Sequence, residues 1–177
     1  MSMIDKKVAI LVEDLYEDLE LWYPYYRLRE EGAEVHLVGS GRLPTHTSRY
    51  GYPATPDLVI DDVRAADFAA VVIPGGYSPD LMRRKPAMVD FVREMDRAGK
   101  PVAAICHAGW MLVSADVVRG RRATCFFSIK DDLVAAGAEY VDEPAVVDGN
   151  LVTSRFPADL PHFCKALIAL LAAPVPV

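Results

Sequence analysis

The residue whose position in the chain best suits covalent chemistry is Cys106, which directly follows the apolar run Val102–Ile105. A nucleophile elbow turns sharply from a strand into a helix and needs small residues two positions before and after the nucleophile. Ala104 and Ala108 meet that requirement. Because free N–H groups and the helix dipole favour a thiolate at a helix N-terminus, the sequence predicts a reactive thiol of lowered pKa. A buried structural cysteine is the alternative, but it does not explain the flanking small residues or the adjacent His107.

Other candidate residues follow from the needs of a thiol nucleophile. His107 is placed to act as general base or acid, and Asp80 is a candidate carboxylate to orient it. An N-cap role for Asp80 is the alternative that its local sequence favours. Gly75 and Gly76 permit close backbone approach, so the N–H groups of Gly76 and His107 are predicted to form an oxyanion hole, although a Gly-Gly pair also suits a plain turn.

The surrounding pattern predicts the elements that position these residues. Three short apolar runs, 8–12, 68–73 and 102–105, are typical of strands buried on both faces. Because helical patterns separate them, a single domain over residues 1–177 is expected, a three-layer α/β sandwich with a doubly wound, mostly parallel sheet. The predicted helices are 18–31, 80–98, 108–118, 129–136 and 158–172; further strands are 34–38 and 123–126, a hairpin spans 146–153, and 39–56 is loop or irregular edge structure.

Composition narrows the possible partners. The 177 residues are 52% hydrophobic and 25% charged, as in globular proteins. A formal net charge of −6 disfavours binding to nucleic acid or to an anionic membrane. The sequence shows no leader and no membrane span, so a cytoplasmic protein is expected. An odd number of cysteines, Cys106, Cys125 and Cys164, suits reduced thiols, and the histidines show no metal-ligand spacing, so neither a metal nor a cofactor is predicted.

Longer strings resemble the PfpI intracellular protease family of the ThiJ/PfpI superfamily, which is related to the class I glutamine amidotransferases. The resemblance covers nearly the whole chain in order, which makes it more specific than any single motif. The strings are 16–24 (YEDLELWYP), 74–76 (PGG), 104–107 (AICH), 128–132 (SIKDD), 146–155 and 157–161.

This resemblance implies a flavodoxin-like fold with Cys106 as nucleophile and His107 as its partner. Glu17 matches the family glutamate beside the cysteine and should have a raised pKa, although it also reads as an ordinary first-turn glutamate. Asp80 stands where the family places an acidic residue that reaches the histidine of a neighbouring subunit, which implies a homodimer or hexamer. The chain departs from the family at Ala108–Trp110, where Gly-Pro is common, and at Phe126, where some members carry tyrosine.

The function implied is a cysteine-dependent stress-response enzyme that acts on small carbonyl, amide or peptide substrates. Family activities include peptidase or amidase chemistry, glyoxalase-like conversion of methylglyoxal, and deglycation. A redox-sensing stress protein or chaperone with an oxidisable Cys106 is the main alternative. An isonitrile hydratase-like activity is a further one. A nucleotide-binding domain is disfavoured because neither G-x-G-x-x-G nor a P-loop is present.

Overall fold

A computed structural model describes residues 3–172 of the chain. Its strands are β1 (Lys7–Val12), β2 (Glu34–Gly39), β3 (His46–Thr47), β4 (Pro53–Ala54), β5 (Leu58–Val59), β6 (Ala70–Ile73), β7 (Val102–Ile105), β8 (Arg122–Ala123), β9 (Glu139–Tyr140), β10 (Ala145–Asp148) and β11 (Leu151–Ser154). Its α-helices are α1 (Asp18–Glu30), α2 (Ser78–Met82), α3 (Pro86–Arg97), α4 (Gly109–Ala115), α5 (Lys130–Ala135) and α6 (Leu160–Ala172).

A seven-stranded sheet forms the middle layer, in the order β10-β11-β7-β6-β1-β2-β5. All neighbours are parallel except β10 and β11, which form the predicted antiparallel hairpin. The chain runs outward from β1 through β2 to β5, and then returns to β6 on the other side of β1. This reversal of strand order confirms the doubly wound prediction, and ligands of such sheets bind beyond the carboxyl ends of the strands near the reversal.

Helices cover both faces of the sheet and enclose two apolar cores. On one face, α3 and α4 contribute residues such as Val92, Met95 and Leu112. On the other face, α1 and α6 contribute residues such as Leu28 and Phe163. The chain therefore forms the predicted three-layer α/β sandwich. Within residues 3–172, the helices are all too short or too polar to cross a membrane.

The predicted helix over 80–98 is wrong in its extent, because the structure has two helices there. Lys85 is extended, with φ −103° and ψ 103°, and precedes Pro86, the first residue of α3. Proline disfavours helical backbone in the residue before it, which explains the break. Asp80 lies in the first turn of α2, and the N-cap position is occupied by Tyr77, so Asp80 is not the cap.

The predicted strand over 123–126 is also only partly correct. Just its first residue belongs to a strand, β8, which pairs with β9 in a separate two-stranded sheet. The remaining N–H groups bond elsewhere: Thr124 donates to Thr153 Oγ1 at 2.9 Å, and Phe126 donates to the carbonyl of Cys106 at 3.2 Å. This segment therefore supports the turn that follows β7 instead of extending a sheet.

Candidate active site

Cys106 occupies a strained turn at the end of β7. Its φ is 62°, a left-handed conformation that costs a non-glycine residue about 1–2 kcal/mol. Cys106–Ala108 form a single 3-10 turn that leads into α4. Ala104 and Ala108 are 2% and 0% exposed, so larger side chains have no room there. The predicted strand-to-helix elbow is present, and the turn brings Cys106 against Gly75, which follows β6.

Two glycines after β6 allow three segments to meet at this elbow. A Cβ on Gly75 would lie 2.5 Å from Glu20 Oε2 and 2.7 Å from Cys106 Cβ. Gly76 has φ 73°, forms a bridge with Tyr16, and a Cβ there would strike the backbone of Leu15. Both glycines are therefore needed to bring α1 and the elbow together, and they do more than form a turn.

The carboxyl group beside the thiol belongs to Glu20, in the first turn of α1. It is fully buried, and its Oε2 accepts a hydrogen bond of 2.8 Å from the N–H of Gly75. Burial raises the pKa of Glu20 to about 8, and the negative charge of Glu17 adds to this effect. The hydrogen bonds with Gly75 and Cys106 act in the opposite direction but are weaker. Glu20 is thus mostly protonated at neutral pH and interacts with the sulfur as a neutral acid.

Glu17, which the sequence predicted beside the cysteine, lies one turn earlier. Its Oε2 caps α1 by accepting a 3.0 Å hydrogen bond from the N–H of Glu20. Burial raises its pKa, in the predicted direction. The structure brings Glu17 into the same corner of the molecule, but Glu20 makes the contact with Cys106. Sequence reasoning missed Glu20, whose one signal was its place on the α1 face that also carries Pro24 and Leu28.

The pKa of the Cys106 thiol is raised by burial, whereas its position at the elbow predicted a lowered pKa. The residue is only 7% exposed, and burial, followed by the charge of Glu20, raises the pKa of Cys106. Hydrogen bonds from the N–H groups of His107 and Gly76 lower it, but not by enough to compensate. The two N–H groups predicted to form an oxyanion hole are therefore both directed at the sulfur. In the resting site the thiol is protonated, and it needs a base.

His107 is placed to be that base. Its Nδ1 lies 3.2 Å from Cys106 Sγ, and burial, followed by the charge of Arg49, lowers its pKa below the ordinary value of 6.5. The imidazole is consequently neutral near pH 7 and can accept a proton. Its Nε2 lies 3.2 Å from Ser128 Oγ, so a proton on Nε2 and a free Nδ1 lone pair are mutually consistent.

Aromatic side chains hold the imidazole in place and line the approach to it. His107 stacks on Phe126, with centroids 4.8 Å apart, and meets Trp110 edge-on at 5.2 Å. Trp110 also donates a hydrogen bond to Asp132 and contacts the ring of Tyr77. Trp110 and Phe126, at which the chain departs from the family pattern, thus both pack directly against the imidazole of His107.

Asp80 does not join this group within one chain. Its carboxylate pairs with Arg84 one turn along the chain, and its side chain is 25% exposed. The polar partner of His107 Nε2 in the same chain is Ser128. A role for Asp80 in a neighbouring subunit therefore stays a prediction.

Taken together, these features define an α/β protein with a cysteine nucleophile elbow at the carboxyl edge of a doubly wound sheet. Residues 6–170 match the model of the DJ-1/PfpI family. The chain belongs to that family, and the predicted family resemblance is confirmed.

Similar proteins agree with this assignment. A deglycase of Pyrococcus horikoshii is 46% identical over 93% of this chain and 99% of its own. The protein/nucleic acid deglycase 2 of Escherichia coli is 42% identical over 96% of this chain and 100% of its own. Among solved structures, a two-domain protein of Anabaena variabilis, with DJ-1/ThiJ/PfpI-like and ferritin-like domains, has a TM-score of 0.92 at 44% identity. The match covers 97% of this chain and 50% of that protein.

Replacement of Gly75 tests the packing of the site. We expect Gly75→Ala to lower the free energy of unfolding by about 1–3 kcal/mol, because the added methyl overpacks Glu20 against Cys106. Urea denaturation measures this, and alkylation of Cys106 in the native state should change as well. Gly99→Ala is the control for Cys106 alkylation, which it should leave unchanged because a Cβ there meets nothing within 4 Å; its positive φ should itself cost about 1–2 kcal/mol of stability. Unchanged Cys106 alkylation in Gly75→Ala would contradict the close packing described.

A pH series of unfolding tests the protonation of Glu20. Because burial raises its pKa from 4.5 to about 8, the folded state holds a proton that the unfolded state releases. The stability that Glu20 contributes should therefore fall as pH rises from about 5 to 8, by at most about 1.4 kcal/mol per pH unit. Glu20→Gln should remove this dependence in urea denaturation between those pH values. Parallel stability curves for the two proteins would show that Glu20 is not protonated when folded.

Proposed function

We propose that this protein is a cysteine-dependent enzyme that acts on small α-oxoaldehydes, or on the adducts they form with amines and thiols. One observation carries the proposal: Cys106 lies at a strained elbow, and its Sγ is 3.2 Å from Nδ1 of a neutral His107. The names of the relatives, which are deglycases, support an enzyme of the DJ-1/PfpI type.

Addition of the thiol to an aldehyde is the first step. The sulfur forms a bond to the aldehyde carbon while the thiol proton passes to His107 Nδ1. His107 returns that proton to the carbonyl oxygen, which gives a hemithioacetal. The N–H groups of Gly76 and His107, which now bond to the sulfur, are the nearest donors for the developing oxyanion. A raised thiol pKa is consistent with this step, because the thiol loses its proton only while the bond between sulfur and carbon forms.

Isomerisation completes the reaction of a free α-oxoaldehyde. The hydrogen on the former aldehyde carbon leaves as a proton, and the neighbouring carbonyl oxygen is protonated, which gives an enediol. A proton is then added at the former ketone carbon while the hydroxyl beside the sulfur loses its proton, which yields a 2-hydroxyacyl thioester. Water then releases the 2-hydroxy acid and restores the thiol. Neutral His107 and protonated Glu20 are the groups on hand to move these protons. Because the sequence of steps is redox-neutral, it requires no cofactor.

Assembly with a second copy of the chain forms part of the proposal. Asp80 is partly exposed and is held by the flexible side chain of Arg84, so it is available at the surface of α2. The family resemblance places its equivalent at the histidine of a neighbouring subunit. In that arrangement a homodimer or hexamer completes the site, with Asp80 stabilising a charged His107 of the partner.

A redox-sensing role is the second candidate, and the environment of the sulfur favours it. The N–H groups of His107 and Gly76 together with protonated Glu20 offer three donors around Cys106, which suits the oxygens of a sulfinic acid. Peroxide oxidation of Cys106 without turnover of any carbonyl or peptide substrate would favour this role over catalysis.

Variants of the nucleophile test the proposed reaction. Cys106→Ser should abolish formation of lactate from methylglyoxal, and His107→Gln should lower kcat by about 10²–10⁴. Cys125→Ser is the matched control, since Cys125 is also buried and unpaired, and it should retain activity. Peptide hydrolysis is measured in parallel, because amidase chemistry uses the same nucleophile. Full lactate formation by Cys106→Ser would refute the mechanism.

Asp80→Asn tests the proposed assembly, with Asp90→Asn as the control because Asp90 also pairs with an arginine of its own helix. Sedimentation should show at least a dimer for both variants, and only Asp80→Asn should lose activity, by tenfold or more. A fully active monomer, or full activity of Asp80→Asn, would contradict completion of the site in trans.

A further inference from the structure

A second group of chemistry-bearing side chains lies at the end of β1, on the side toward β2. Glu13, Asp14 and His46 each present one potential ligand atom, and all three atoms lie within 4.8 Å of one another. His46 Nδ1 is 3.0 Å from Glu13 Oε1 and 3.5 Å from Asp14 Oδ1. A single ion with bonds of about 2.0–2.2 Å to nitrogen and oxygen holds neighbouring ligand atoms at about these separations.

His46 gives independent reason to expect a ligand. Its side chain is fully buried. Nδ1 makes a close but poorly aligned contact with Glu13 at 3.0 Å, and Nε2 has no hydrogen-bond partner within the described residues. A buried polar atom without such a bond is costly, and nearly all such atoms in native proteins are satisfied. Nδ1 is nonetheless aimed at two carboxylates. A metal ion between these three groups satisfies it with a bond to its lone pair.

The carboxylates are held by the kind of outer hydrogen bonds that orient metal ligands. Ser40 donates to Glu13 Oε2, and the backbone N–H of Thr47 donates to Asp14 Oδ1 at 2.9 Å. Arg42 Nη2 bonds to Glu13 Oε1 and Asp14 Oδ2, so its guanidinium is the cation that neutralises the pair now. Because the Arg42 side chain is 53% exposed, it is free to withdraw as an ion enters.

An open cavity of about 470 Å³ adjoins this group and gives access to it. Glu13, Ser40, Gly41 and Arg42 form one wall. The rest of the lining comes from Asp61, from Leu81 of α2, and from Arg84 and Lys85, which follow α2; Arg84 and Lys85 pair with Asp80 and Asp61. Neither Cys106 nor His107 lines the cavity. Water in this space can fill the coordination positions that the protein leaves open. Of the three proposed ligands, Glu13 lines this cavity, and the Asp14 side chain is 25% exposed, so an ion reaches the group from the side of the carboxylates, away from the thiol.

We propose that Glu13, Asp14 and His46 bind one divalent transition-metal ion, of which Zn²⁺ is the first to test. Two carboxylate oxygens and one imidazole nitrogen form a ligand set that suits zinc or manganese. The ion ties the end of β1 to β3, whose Thr47 carbonyl already accepts the N–H of Leu15 at 2.7 Å. It thereby stabilises the loop that leads from β1 to α1 and the catalytic corner.

Titration of the untagged, metal-stripped full chain with Zn²⁺ tests this proposal, with calorimetry for stoichiometry and the thermal midpoint as a second readout. One equivalent should bind and raise the midpoint. Visible spectra with Co²⁺ should show bands of a nitrogen and oxygen site without thiolate charge transfer. Cys106→Ser should bind Zn²⁺ as tightly as the unaltered chain, because the thiol is not a ligand.

Variants of the group separate a metal site from a plain ion-pair cluster. Asp14→Asn should weaken Zn²⁺ binding at least tenfold, and Arg42→Gln should strengthen it, because it removes the competing cation. His46→Gln should abolish binding; if that variant does not fold, the Asp14 and Arg42 variants decide. The proposal is overturned by a chain that binds no Zn²⁺, by binding that Asp14→Asn leaves unchanged, or by binding that Cys106→Ser removes.

Discussion

The site depends on one close contact, in which a buried carboxyl group and a buried thiol meet across a glycine that has no side chain to separate them. Glu20 and Cys106 both pack on Gly75, and the left-handed turn at Cys106 directs the sulfur into that contact. In so little water the two groups cannot both be ionised at low cost. Glu20 and the thiol are therefore both mainly protonated near neutral pH, and neutral His107 lies next to the sulfur, where it can accept the thiol proton.

Much of the fold could be predicted because buried parallel strands and their helices leave strong patterns in the sequence. The runs that became β1, β6 and β7 are apolar throughout, and the sheet places all three at its centre. The two-residue strand β5 left no comparable signal. Local patterns also missed the break before Pro86, where a proline effect overrides an otherwise continuous helical pattern. The residues after Ala123 do not continue the predicted strand, because the N–H groups of Thr124 and Phe126 bond to Thr153 and to the elbow instead.

Only the part of the site that is formed by residues adjacent in the sequence could be predicted. Cys106 and His107 are adjacent, so their pairing was visible in the sequence. Glu17 and Glu20 lie one helical turn apart, and only the packing of α1 against Gly75 decides which carboxyl group reaches the sulfur. The raised thiol pKa was missed for the same reason, since a helix N-terminus predicts a lower pKa while burial, which depends on tertiary structure, acts in the opposite direction.

The rate of Cys106 alkylation as a function of pH, followed by mass spectrometry, tests the central claim most directly. The account predicts a thiol pKa above the free value of about 8.5 in the unaltered chain. It also predicts a lower thiol pKa in Glu20→Gln, because the neighbouring negative charge is removed, and a much smaller change in Glu17→Gln. If the Glu20 variant leaves the profile unchanged, or if the Glu17 variant causes the larger shift, Glu20 is not the group that controls the thiol.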